Sequence, residues 1–242
     1  MGKNRNQQLQ TKKFPKYTQT LFWIFIVPFI LLFKTILKNV QKKPFFIAIA
    51  IVCLLGWSWS MILSYTGWWE FPEEFILGFH VLPYLPLEEF LIYPLGGAFS
   101  IFLYMFPTNK FSEKQSPLIY WIFVLAVTAL FGILAFVKRG TEPYYLYSQL
   151  VLYNGLCLVF ASKISKEINI IGLFSSLLVL SLIGYFWDWA AFRNDWWIYH
   201  AITGIKFNGI PVEDFNFYLL APTAAISLYI GICRYLNLSQ KP

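Results

Sequence analysis

Charge is scarce in this chain. Only 13% of its 242 residues are Asp, Glu, Lys or Arg, about half the share found in soluble domains. Cysteine is scarce too. Cys53, Cys157 and Cys233 lie singly within apolar runs, and no C-x-x-C or Cys/His cluster occurs. That excludes a zinc-finger pattern and a disulfide framework, and leaves the three as small buried hydrophobes. There are two histidines, too few for a histidine-rich metal centre, so no metal is expected. The phosphate-cradling G-x-G-x-x-G and P-loop patterns are missing, as are the G-x-S-x-G elbow and H-E-x-x-H. Gly96-Gly97 falls inside an apolar run, where it serves close helix packing. The net charge of +7 has no contiguous basic face behind it, so nucleic acid is not expected as a partner.

What the chain has is apolar surface. Hydrophobic residues make up 58% and aromatics 21%, more than a core of this size can hide, so lipid must be the solvent. A helix needs roughly 20 apolar residues to cross the hydrocarbon. Seven runs qualify, at about 18–37, 45–65, 87–106, 118–137, 144–162, 168–192 and 212–236. Lys42, Lys43, Lys110, Lys114, Lys138, Arg139, Lys163 and Lys166 fall between them, as in the loops of membrane proteins. Gln149 and Asn154 interrupt the fifth run, and are expected to bond to other helices. Residues 1–17 read as a polar, basic, disordered tail. The run Leu21–Phe33 lacks a small-x-small cleavage site and is followed by Lys34 and Lys38, so it reads as a membrane helix and not a signal peptide. Loop lysines favour a cytoplasmic C-terminus; Lys3, Arg5, Lys12, Lys13 and Lys16 of the tail vote the other way. The expected fold is an all-α polytopic membrane bundle.

The two halves repeat. With Gly56 laid on Gly184, Trp59 falls on Trp187, Trp68-Trp69 on Trp196-Trp197 and Phe71 on Tyr199; after a three-residue slip, Pro86 falls on Pro211 and Tyr104 on Tyr229. Such self-similarity marks a duplicated unit. The expected division is a first repeat at 18–110, a linking helix within 111–140 and a second repeat at 141–242. The first and fifth helices are four crossings apart and so run the same way. The repeats are therefore parallel, related by an axis along the membrane normal.

Each repeat carries a pair of acids where an apolar run opens: Pro86-Leu87-Glu88-Glu89-Phe90 and Pro211-Val212-Glu213-Asp214-Phe215. Pro at the first helical position and acids in the first turn are sound helix grammar. One acid would satisfy the dipole, however, and intramembrane acids are functional candidates by default. Parallel repeats put both motifs at one membrane face, where a pseudo-two-fold arrangement can bring them together. Neighbours on a helix point about 100° apart, so one acid of each pair can aim at the axis while the other bonds to loop or backbone. A carboxylic acid beside a carboxylate in an apolar cavity suits proton donation and removal.

An aromatic loop precedes each motif, with Trp68, Trp69 and Phe71 in one and Trp196, Trp197, Tyr199 and His200 in the other. An interfacial aromatic belt accounts for such residues; their matched placement argues for a shared structural or site role. Asp188, in Trp187-Asp188-Trp189, has Ser60 as its counterpart. It is a candidate for chemistry, for an interhelical hydrogen bond, or for a pair with Arg193 one turn on. His80 and His200 do not align and read as interfacial polar residues.

The pattern of tryptophan and aromatic loop, then Pro-x-Glu-Glu-Phe opening a helix, twice over, resembles the integral-membrane lycopene cyclases, the heterodimeric bacterial and fused archaeal and fungal type. The resemblance covers about residues 45–236, with both halves in one chain. It implies a carotenoid substrate, a bacterial inner-membrane location, and Glu88, Glu89, Glu213 and Asp214 as the catalytic carboxyls. Asp188, Trp68, Trp69, Trp196, Trp197, Tyr199, Pro86 and Pro211 would support them. It implies no cofactor and admits a homo-oligomer. Ser60 stands where the family has Asp, Asp214 where it has Glu, and Leu91-Ile92 and Asn216 where a further aromatic is common. Cyclisation adds a proton to an alkene, lets a neighbouring double bond attack the tertiary cation, and removes a second proton. Trp and Tyr faces can steady the cation by about 2 kcal/mol or more each when desolvated. Two other readings stay open: a proton-coupled transporter using the same acids as a relay, and a carotenoid-binding relative without chemistry.

Overall fold

The computed structural model describes residues 15–110, 115–137 and 142–238. Most of the basic tail lies outside them, as do Lys114, Lys138 and Arg139 between the helices. Among the described residues, seven helices are long and apolar enough to span a membrane: α1 (Lys16–Asn39), α2 (Lys42–Tyr65), α3 (Leu87–Asn109), α4 (Pro117–Val137), α5 (Tyr144–Ile164), α6 (Ile170–Arg193) and α7 (Val212–Tyr235). The chain is an integral membrane protein, an all-α bundle with large apolar side chains turned outward. Leu31, Leu54, Ile122, Ile133, Val151, Leu178 and Phe186 are among these, as expected where the solvent is hydrocarbon. The three cysteines are buried and free.

Helix α1 begins at Lys16, so Lys16 and Tyr17 belong to the bundle and not to the tail. Tyr17 is an amphipathic side chain whose hydroxyl finds a buried carboxylate, and that contact draws the helix start into the protein.

The repeat is visible in three dimensions. Helices α1, α2 and α3 match α5, α6 and α7, and α4 joins the sets. The most buried spans, α3 and α7, pack on each other. Each also packs across the axis, α3 on α6 and α7 on α2. The first helix of each unit carries a π-helical turn at the same relative place, Phe22–Ile26 in α1 and Leu150–Asn154 in α5. Gly56 and Gly184 lie where the tyrosine rings of Tyr93 and Tyr218 cross them, and a Cβ at either position would overlap the ring. Gly97 lies against Ile49 and Val52, the close packing expected of it. Near the far ends of α3 and α7, Tyr104 and Tyr229 each accept a backbone N–H from the other unit: Asn169 N at 3.0 Å and Gln41 N at 2.9 Å. These are the residues immediately before α6 and near the start of α2, so each repeat caps a helix of its partner.

The loops before α3 and α7 are more ordered than their composition suggests. Each ends in a hairpin: β2 (His80–Leu82) with β3 (Leu85–Pro86), and β5 (Lys206–Phe207) with β6 (Ile210–Pro211). In the second, Asn208 and Gly209 both have positive φ, which the tight two-residue turn requires. Ahead of the hairpins, β1 (Trp69–Glu70) pairs antiparallel with β4 (Ile198–Tyr199). Glu70 sits opposite Ile198, its own counterpart in the repeat, so the pseudo-two-fold axis passes through this ladder. The ladder holds both loops at one face of the bundle, as parallel repeats require.

Candidate functional site

All four paired acids are buried, with Glu88, Glu89, Glu213 and Asp214 between 0% and 3% exposed. Helix geometry divides them. The first acid of each pair turns back to the preceding loop: Glu88 Oε1 accepts the Leu77 N–H at 2.8 Å, and Glu213 Oε1 accepts the Thr203 N–H at 2.5 Å. Glu88 Oε1 also accepts from the Thr18 hydroxyl. The second acid of each pair, Glu89 and Asp214, lines a single cavity of about 200 Å³ between the repeats. Two motifs thus supply two loop anchors and two inward carboxyls.

The inward carboxyls sit in matched surroundings. Tyr17 donates to Glu89 Oε2 at 3.2 Å, and Tyr145 lies 3.3 Å from Asp214 Oδ1. Tyr17 stands to Tyr145 in sequence as Gly56 stands to Gly184. Each tyrosine serves its own repeat's acid while packing on the tryptophan of the other: Tyr17 meets Trp187 edge-on at 5.8 Å, and Tyr145 stacks on Trp59 at 5.5 Å. Phe25 on Trp187 and Tyr153 on Trp59 repeat the exchange. The cavity is therefore assembled from both halves at every layer.

The halves differ chemically at the layer of Ser60 and Asp188. In the first, Ser60 lies 2.5 Å from the Tyr93 hydroxyl and donates to Glu89 Oε1 at 3.2 Å. In the second, Asp188 takes the place of Ser60 and accepts the Tyr218 hydroxyl. Asp188 makes this interhelical bond and not a pair with Arg193, whose guanidinium lies 4.2 Å over the Trp189 ring. Asp188 lines the cavity together with Asp214. Asp214 Oδ2, and Oε2 of Glu88 and Glu213, have no hydrogen-bond partner among the described residues.

Of the loop aromatics, Trp69, Trp197 and Tyr199 line the cavity. Trp196 is buried beside Tyr17, at 6.5 Å between rings, without reaching the cavity. Trp68 stacks on Tyr144 at 4.8 Å, outside the cavity. Pro86 and Pro211 are buried at the ends of β3 and β6 and set the entry angle of the acid-bearing turns. His200 pairs with Glu70 at 3.2 Å on the exposed face, and His80 is exposed. Burial, then the nearby Asp214 charge, push the Tyr199 hydroxyl well above the usual phenol range, so it stays a neutral donor at physiological pH.

Sequence reasoning missed the hydroxyl shell: Tyr17, Tyr145, Tyr93 and Tyr218. Their spacing was the available signal, since Tyr93 stands to Tyr218 as Pro86 stands to Pro211. Gln149 and Asn154 do bond to other helices. Asn216 donates to Gln149 Oε1 and Asn154 Oδ1, both at 3.1 Å, and Asn154 donates to Thr128 at 3.2 Å. Leu91, Leu21 and Ile26 occupy the matching places in the first half, so this amide cluster belongs to the second half alone.

No protein-family profile, curated protein or solved structure matched this chain.

Proposed function

We propose that the protein is a carotene cyclase of the integral-membrane lycopene type, closing the end groups of a linear carotene by proton addition and removal. The observation that carries this reading is the placement of two carboxyls, Glu89 and Asp214, from two repeats in one buried aromatic cavity. Protonation of an alkene needs an acid in a dry site, since water would capture the tertiary cation. Loss of the second proton needs a base within reach of the ring. Glu89, with hydroxyl donors on both oxygens, is suited to carry charge and take a proton. Asp214, with Asp188 as its neighbour, is suited to hold a proton and give it. The faces of Trp59, Trp187, Tyr145 and Tyr17 surround the space where the cation forms. Glu88 and Glu213 hold the loops that bear Trp69 and Trp197. The cavity is smaller than the ~300–1,000 Å³ that encloses a whole drug-sized ligand, so it takes one end of a long carotene at a time.

The location follows from the same reading: a bacterial cell membrane, with the C-terminus on the cytoplasmic side as loop lysines favour. A proton-coupled transporter is less well supported. Its acids belong near mid-membrane, and here they sit in the first turns of α3 and α7.

Expression in cells that accumulate lycopene tests the proposal. Chromatography of the extracted pigment is expected to show cyclic carotenes. Unchanged lycopene, with the protein inserted and folded, would remove the enzymatic reading and leave carotenoid binding.

A further inference from the structure

A second hollow, of about 520 Å³, lies against the loop face beside the buried cavity. Arg193, Asp195, Lys206 and Asn208 line it, all exposed and polar, so it is a wet bowl at the membrane surface. Trp197 and Tyr199 line both the bowl and the cavity and form the wall between them. The Tyr199 hydroxyl lies 3.2 Å from that of Tyr145, which lies 3.3 Å from Asp214 Oδ1. A line of hydroxyls therefore runs from surface water to one inward carboxyl.

Among the described residues, the first half has no such line. Phe71 takes the place of Tyr199 there and stacks beside Tyr17 as Tyr199 stacks beside Tyr145, with rings 6.5 Å and 4.6 Å apart. Phe71 carries no hydroxyl, so the chain from Glu89 stops at Tyr17. The two-fold frame is kept while its proton chemistry is broken on one side.

We propose that Tyr199 and Tyr145 form the proton path between bulk water and the site, and that exchange takes place at Asp214, through the second repeat. A proton from water in the bowl binds the Tyr199 oxygen as that phenol passes its own proton to Tyr145. Tyr145 in turn gives its proton to the Asp214 carboxylate. Each hydroxyl ends neutral, one O–H bond having formed and one broken at each. The reverse sequence discharges Asp214. Proton relays of this kind are a recognised use of buried polar chains that meet a water-filled hollow in a membrane protein. Tyr145, Tyr199, Asp188 and Tyr218 share the cavity lining with Asp214, and of these Tyr199 also borders the bowl.

The use of this path in turnover rests on the cyclase reading: the site gives one proton and takes another, and the path sets the charge of the carboxyl pair between rounds. The path itself can be tested without substrate. Infrared spectra of the purified full-length protein, moved from H2O to D2O, would follow the carboxylic C=O band assigned to Asp214 by its loss in Asp214→Asn. Tyr199→Phe is expected to slow exchange of that band at least tenfold, while a band lost in Glu89→Gln exchanges as before. Phe71→Tyr is expected to speed exchange at Glu89. Unchanged exchange of Asp214 in Tyr199→Phe would overturn the path, as would equal slowing of both carboxyls or the lack of any Asp214 carboxylic band on acidification. A Tyr199-dependent band in a protein that does not cyclise lycopene would keep the path and discard its use.

Discussion

If the proposed cyclase reading holds, Glu89→Gln and Asp214→Asn are each expected to lower carotene cyclisation by about 10²–10⁴-fold, the usual weight of a general acid or base, while protein in the membrane stays at parental levels. Glu88→Gln and Glu213→Gln leave most of the activity. The difference comes from the two directions in which neighbouring helical residues point. Glu89 and Asp214 face the cavity, whereas Glu88 and Glu213 accept loop N–H groups. Gln keeps an acceptor oxygen for that N–H, so the anchor is retained at a cost of about 1 kcal/mol in loop stability. Turnover rates set beside protein amounts in membranes check the pattern. Equal loss in all four variants would show that the pairs act as undivided units. Loss confined to Glu88 and Glu213 would place the chemistry at the loops.

The second large effect is on stability. Gly56→Ala and Gly184→Ala each set a methyl group into a tyrosine ring; at Gly184 the new Cβ would lie 2.6 Å from Tyr218 Cε1. The ring cannot step aside freely, because Tyr218 is tied to Asp188 and Tyr93 to Ser60. Overpacking of this kind costs about 1–3 kcal/mol, so each variant unfolds at a lower temperature in detergent. A second change that removes the ring, Tyr93→Leu with Gly56→Ala, recovers part of the loss, since contacting residues are not additive. Unfolding midpoints equal to the parent for both single variants would contradict the close crossing.

The sequence announced the seven spans, the parallel repeat and both acid pairs because each leaves a one-dimensional trace: apolar length, matched spacing, and charge where charge is expensive. Tyr17 reads as part of a tail because its neighbours are polar, although its place in the repeat matches Tyr145. The π-helical turns of α1 and α5 leave no compositional mark. They matter because an added residue in a helix turn re-aims the side chains that follow. The second hairpin leaves a trace in the sequence, since Asn208-Gly209 is a strong turn signal. Which acid of each pair faces inward depends on the rotation in which the whole helix packs on its neighbours, and the acid pair alone does not encode it.

On the proposed reading, two carboxyls from two repeats trade protons with a hydrocarbon in a shared dry chamber. Membranes bearing the protein, given lycopene in D2O, test it most directly when the carotenes formed are weighed by mass spectrometry. The added proton stays on the ring and the one released comes from the substrate, so each closed ring is expected to carry one deuterium, with none in the lycopene left over. Cyclic product without deuterium, or lycopene that survives untouched beside folded protein, would contradict the account.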